Sequence, residues 1–141
     1  MEVAVGLRPK LMSFRATGFH GENKAASSGT EPWNIQLNQT IEVGLNTPQN
    51  PQTPFQAFVK IALAAKATKN DAADQMAEFS GDYEAKFDWP IAATEAEVLP
   101  LIPLEPFQYL LVAQAYPLAM THFRREMQSM GFDARELPLG I

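Results

Sequence analysis

His20, Glu22 and His122 are the side chains whose types could build a metal site or an acid–base pair. Brought together by the fold, they would make a small-ligand or enzyme domain. The donor set is thin: two histidines and no cysteine, so neither a thiolate nucleophile nor a disulfide framework can form. No Gly-x-Ser-x-Gly segment is present, and Gly18 to Gly21 lacks phosphate-loop spacing. The residues therefore point to no cofactor and no metal. Apolar adhesion is far better provided for. Val98, Leu99, Leu101, Ile102 and Leu104 crowd into the segment 90–105, which is broken by Pro90, Pro100 and Pro103. The prolines argue against regular structure there. An irregular segment this apolar must either pack on the chain's own sheet or line a binding groove. Trp33 ends a polar stretch, 20–33, and belongs to a residue type enriched on binding surfaces. It either caps the core or lines the same groove.

The elements that would position these residues follow from periodicity. Asn34 to Asn46 alternates, with Ile35, Leu37, Ile41, Val43 and Leu45 on one face and Gln39 as the single break. Met76 to Trp89 alternates more cleanly: Ala77, Phe79, Tyr83, Ala85, Phe87 and Trp89 face one way, Glu78, Asp82, Glu84 and Asp88 the other. Period two over such lengths means a sheet with one buried and one wet face. Phe55 to Ala67 is apolar on one side; its alanines leave a helix possible, but the neighbouring strands favour a third strand, and Leu11 to Phe19 reads as a weaker first one. The connectors 46–54 and 68–71 carry turn chemistry.

From Pro106 to Met130 the period changes. Phe107, Leu110, Leu111, Tyr116, Met120, Phe123, Met127 and Met130 recur at steps of three and four, the stripe of a long helix. Pro106 suits the first helical turn and Gly131 the stop, with Arg124 and Arg125 near the negative end of the dipole. Pro117 removes one backbone bond and should bend the helix. A one-sided apolar helix must lie on a sheet or on a second copy, so Met120, Phe123 and Met127 read as core or as an oligomer seam. The expected fold is α+β: a four-stranded antiparallel sheet with a long, Pro-kinked C-terminal helix packed on one face, in one domain spanning 1–141. A tail with Leu137, Pro138, Leu139 and Ile141 follows, exposed unless docked.

Composition sets the class. The chain has 141 residues, with 46% hydrophobic but only 19% charged residues, so some apolar surface is expected to be covered by a partner. A formal net charge of −5 argues against nucleic acid. The N-terminus lacks the pattern of a signal peptide, and no apolar run reaches the roughly 18 residues of a membrane span. Absence of cysteine fits a reducing cytoplasm.

The stretch Pro117-Leu-Ala-Met-Thr-His-Phe-Arg-Arg-Glu126, followed by Gly131-Phe132 and Leu137-Pro138-Leu139, resembles the helix and tail of the SecB family of export chaperones. Phe123, Arg125 and Glu126 fall in register with that family's pattern, and His122 stands in place of a second proline. Lys10 to Ala16 resembles the family's first strand, and Trp33 its tryptophan just before strand two. The resemblance implies an ATP-independent chaperone of unfolded preproteins, working in the cytoplasm as a homotetramer, a dimer of dimers. It implies peptide binding by Trp33, Val98, Leu99, Leu101, Ile102 and Leu104, and an oligomer interface at Met120, Phe123 and Met127. Met76 and Glu78 occupy places where the family's sheet meets the export motor SecA. Leu11 and Arg15 replace acids that help bind SecA, which fits the other role known in the family, dedicated chaperone of an antitoxin. The sequence ends at Ile141, before the family's second helix would form.

Overall fold

The computed structural model describes residues 8–24, 33–69 and 76–132. Four strands, β1 (Lys10–Asn23), β2 (Trp33–Asn46), β3 (Gln56–Lys69) and β4 (Met76–Asp88), form one antiparallel sheet in the order β1-β4-β3-β2. β1 and β2 are therefore its two edges. They lie three strand spacings apart, about 14 Å. A short helix α1 (Glu95–Val98), a 3-10 turn (Leu99–Leu101) and the long helix α2 (Glu105–Ser129) follow. The fold is the α+β arrangement expected, with α2 against one sheet face. The apolar tail from Leu137 to Ile141 lies outside the described residues.

Alternation explains three of the strands directly. Ala57, Val59, Ile61, Leu63, Ala65 and Ala67 of β3, and Ala77, Phe79, Tyr83, Ala85 and Phe87 of β4, are all buried toward α2. β1 is longer than its pattern suggests and takes in His20 to Asn23, the start of the polar stretch 20–33. The register shifts twice, between Leu11 and Ser13 and between Ala16 and Gly18. Each bulge inserts one extra residue. The inward positions become Leu11, Phe14, Ala16, Phe19 and Gly21, whose steps of three and two match neither strand nor helix periodicity. Gly21 is required by close approach. A Cβ there would lie 2.5 Å from the Met130 sulfur and 2.9 Å from the Phe79 ring.

α2 runs as one helix through Pro117. It buries Phe107, Leu111, Ala115, Tyr116, Ala119, Met120, Phe123 and Met127. At its N-terminal end Phe107 stacks on Trp89, with ring centroids 5.8 Å apart, so Trp89 is a core residue as its alternation implies. At its C-terminal end Gly131 adopts a φ of 81°. The Phe132 N–H donates to the Met127 carbonyl at 3.0 Å and the Gly131 N–H to that of Gln128 at 3.0 Å. This is a Schellman stop, the role expected of Gly131. Phe132 then folds back on Phe79, 5.6 Å away.

The segment 90–105 is a correction. It is not irregular but contains two short helical turns. Pro100 sits where a missing N–H costs nothing, at the start of the 3-10 turn, and so does Pro106, just past the segment, in the first turn of α2. Glu97 accepts from the Thr94 N–H and hydroxyl, each at 3.0 Å, closing the first turn.

Candidate functional site

α2 does not cover the sheet evenly, and the uneven cover creates the site. On the β1 side, Tyr83 Oη lies 2.9 Å from His122 Nδ1, and the Phe19 ring meets Phe123 edge-on at 6.0 Å. On the β2 side, the Tyr116 hydroxyl donates to Gln39 Oε1 at 2.6 Å. Beyond that contact the cover by described residues ends. The β3 residues Ala57, Val59, Ile61, Ala65 and Ala67 are at most 3% exposed. Their partners in register on β2, Leu45, Val43, Ile41, Leu37 and Ile35, are only partly buried. The result is an open apolar shelf. Its floor is the inner row of β2, its wall the flank of α2 away from His122, and its far border the edge of β2, which pairs with no further strand among the described residues. Gln39, the one polar break in the row, is tied back to α2 by Tyr116.

The residues singled out from sequence divide in two. Val98 and Leu101 are buried within the protomer, at 0% and 7% exposure, and serve its core. Leu99 is 52% exposed, while Ile102 and Leu104 are partly buried and pack against the same core as the shelf. Trp33 opens β2, at one end of the shelf's row; its side chain lies outside the described residues. The seam reading of Met120, Phe123 and Met127 needs correcting. All three are at 0% exposure in the protomer and face its own sheet, so a seam would have to use other residues. The flank of α2 turned outward offers Tyr109 and Leu118, both exposed.

The outer face of the sheet is polar. Cross-strand register aligns Glu42, Lys60, Glu84 and Arg15 in one row of alternating charge. Arg15 reaches Glu84 at 3.1 Å and Lys86 approaches it at 3.8 Å. A shallow cleft of about 380 Å³ crosses this face between Thr17, Thr40, Ala62 and Asp82. Met76 and Glu78 lie on the same face, Glu78 within 3.7 Å of Lys66. His20 and Glu22 also face outward, because Phe19 and Gly21 between and beside them face α2. His122 is on α2, across the sheet, with Nε2 3.7 Å from Glu126. The three do not converge, and among the described residues no group of three or more potential ligands could hold a metal. Tyr83 has its hydroxyl pKa pushed well above the usual tyrosine value, chiefly by burial and then by the charges of Glu126 and Asp82. It stays protonated and shares its hydrogen bond with His122 Nδ1.

Sequence reasoning identified the alternating row of β2 but not its use. The break at Gln39 was the available signal: a glutamine tolerated among inward positions marks a place where water or a partner still reaches.

No family model matches the sequence, and no curated protein matches it. Among solved structures, the fold matches the SecB-like chaperone Rv1957 of Mycobacterium tuberculosis, solved in complex with a ChAD peptide from the Rv1956 HigA1 antitoxin. The two chains share 15% identity with a TM-score of 0.63, over 93% of this chain and 90% of that one. The chain has the SecB-like fold.

Proposed function

We propose that this protein, a chain of SecB-like fold, is a molecular chaperone that holds extended apolar segments of client polypeptides on the shelf beside β2. The observation that carries this reading is the contrast between the sealed inner row of β3 and the half-open inner row of β2 in the same register. A holdase needs an apolar surface that reads no single sequence, and five aliphatic side chains in a line provide one. Burying one large apolar side chain gains roughly 1.5–3 kcal/mol, whereas association and ordering cost about 4–15 kcal/mol. One shelf therefore binds weakly. Several shelves on one particle raise avidity by roughly 10²–10⁴ for a long client, so assembly is part of the mechanism. A tetramer would use the exposed Tyr109 and Leu118 flank of α2 between protomers. No nucleotide is needed, and no single described helix is long and apolar enough to cross a membrane. We place the activity in the cytoplasm.

Of the two client classes, a dedicated client is favoured over general export of preproteins. On the outer face, where Met76 and Glu78 would meet SecA, Arg15 neutralises Glu84 and Lys66 lies against Glu78. The solved SecB-like neighbour is itself bound to an antitoxin peptide. Light scattering of a denatured client tests the chaperone role: near-stoichiometric protein should suppress aggregation, and no suppression rejects it. Pull-down with SecA's C-terminal tail separates the classes, because tight capture counts against a dedicated client.

A further inference from the structure

We propose that the outer face of the sheet is self-complementary, and that a second copy of this chain packs on it, sheet against sheet, about a two-fold axis parallel to the strands. The shelf lies on the opposite face, so this contact is independent of client binding. Cross-strand register carries the argument. On the outer face Lys66 of β3 lies opposite Glu78 of β4, Lys60 opposite Glu84, and Phe58 opposite Lys86. Glu42 on β2 and Arg15 on β1 extend the Lys60–Glu84 row to both edges with alternating sign. A two-fold axis running between β3 and β4 lays β3 of one copy over β4 of the other, and β2 over β1. Lys66 then faces the partner's Glu78, Lys60 the partner's Glu84, and Arg15 the partner's Glu42. None of these facings sets like charges together. A two-fold axis across the strands would instead bring Lys60 against the partner's Lys60 and Glu84 against the partner's Glu84, which repel. The charge pattern therefore selects one axis.

The remaining features of the face agree. Lys66 approaches Glu78 of its own protomer at 3.7 Å, and about half of each side chain is still exposed, 56% and 48%. The second copy supplies each with another opposite charge and closes a square of alternating sign, a network rather than an isolated surface pair. Phe58 faces the partner's Lys86, a cation–ring contact like the one Lys60 makes above the same ring at 5.2 Å. Between the charged rows, Ala62 and Ala64 face the partner's Asp82 and Ser80. Side chains there are short, and the cleft of about 380 Å³ beside Ala62 and Asp82 leaves room for bridging water. Stacked sheets keep their strands nearly aligned, and residues of β3 and β4 lie nearest the axis, where twist displaces facing groups least. Four strands of about 14 residues present roughly 850 Å² per copy, close to the roughly 800 Å² per partner of a standard interface. The contact is polar, so it is weak and salt-dependent.

Sedimentation velocity of the full-length chain tests this. The native particle should be heavier at about 50 mM salt than at about 500 mM, where screening weakens exposed ion pairs. Lys66→Glu and Glu78→Lys each create two like-charge contacts per pair of copies. Each should weaken association about tenfold or more and leave only the high-salt mass at about 50 mM salt. An equimolar mixture of the two variants should regain the heavier particle, because every facing pair between unlike chains is then opposite in sign although each chain is mismatched within itself. The double exchange Lys66→Glu with Glu78→Lys in one chain should regain it as well. A mixture that stays at the mass of its components overturns the proposal, and so does a native mass that is the same at both salt concentrations. A single variant that keeps the heavier particle places the contact on another surface and overturns it too. Where a single variant fails to fold, the double exchange, matched within its own protomer, still decides: loss of the heavier particle there overturns the proposal.

Discussion

Phe123→Ala separates a core role for the inner stripe of α2 from an intersubunit one. Phe123 is fully buried in the protomer, and its ring packs edge-on against Phe19 at 6.0 Å. Truncating a fully buried phenylalanine costs about 3–5 kcal/mol, counting both lost transfer energy and the cavity left behind. The aromatic pair with Phe19 accounts for about 0.5–1.5 kcal/mol of specific attraction. A domain of this size has roughly 5–15 kcal/mol of stability, so at the middle of both ranges the variant remains folded and loses about 40% of it. At about 3 °C per kcal/mol, its Tm should drop by roughly 10–15 °C. Urea unfolding at two protein concentrations tenfold apart, beside sedimentation of the native protein, reads the distinction. A core role lowers the midpoint equally at both concentrations. The conservative Phe123→Leu should recover more than half of the loss. If Phe123→Ala leaves the unfolding midpoint unchanged and instead dissociates the oligomer, the burial reasoning is wrong.

Ile41→Asp, on the half-open row of β2, should cut affinity for an apolar peptide about tenfold or more while lowering stability by less than about 2 kcal/mol; peptide titration and urea unfolding on the same sample check both. Tyr83→Phe should lose about 0.5–1.5 kcal/mol at neutral pH with its hydrogen bond to His122. Because burial raises the Tyr83 pKa above the ordinary value of 10.0, its stabilising contribution is intact below that pH and is lost as pH rises beyond it, when the unfolded chain ionises first. Urea midpoints at pH 8 and pH 10.5 should therefore fall less in Tyr83→Phe than in the parent, and an equal fall refutes this. Gly131→Ala has open space for its methyl group but a positive φ, so it should cost about 1 kcal/mol through backbone strain alone, read as a midpoint shift with unchanged slope.

Local pattern alone determined much of this protein: the alternating β2, β3 and β4, the helical stripe of α2, the stop at Gly131 and hence the α+β class. These are legible because periodicity and backbone preference act over a few residues and need no knowledge of what packs where. The first strand was obscured because two bulges break period two, and bulges answer to the partner strand. The prolines of 90–105 were misjudged for a related reason. Proline opposes a helix interior but suits a helix start, and short turns leave no periodic trace to show which applies. Tertiary structure alone decided which apolar residues are spent inside the protomer. Val98 and Leu99 are adjacent and nearly identical in chemistry, yet one is sealed and the other open. The inner rows of β2 and β3 also read alike in sequence, and differ only because one rigid helix is too narrow to roof all four strands. A sequence states which side chains avoid water; the width and placement of the element above them settles which succeed.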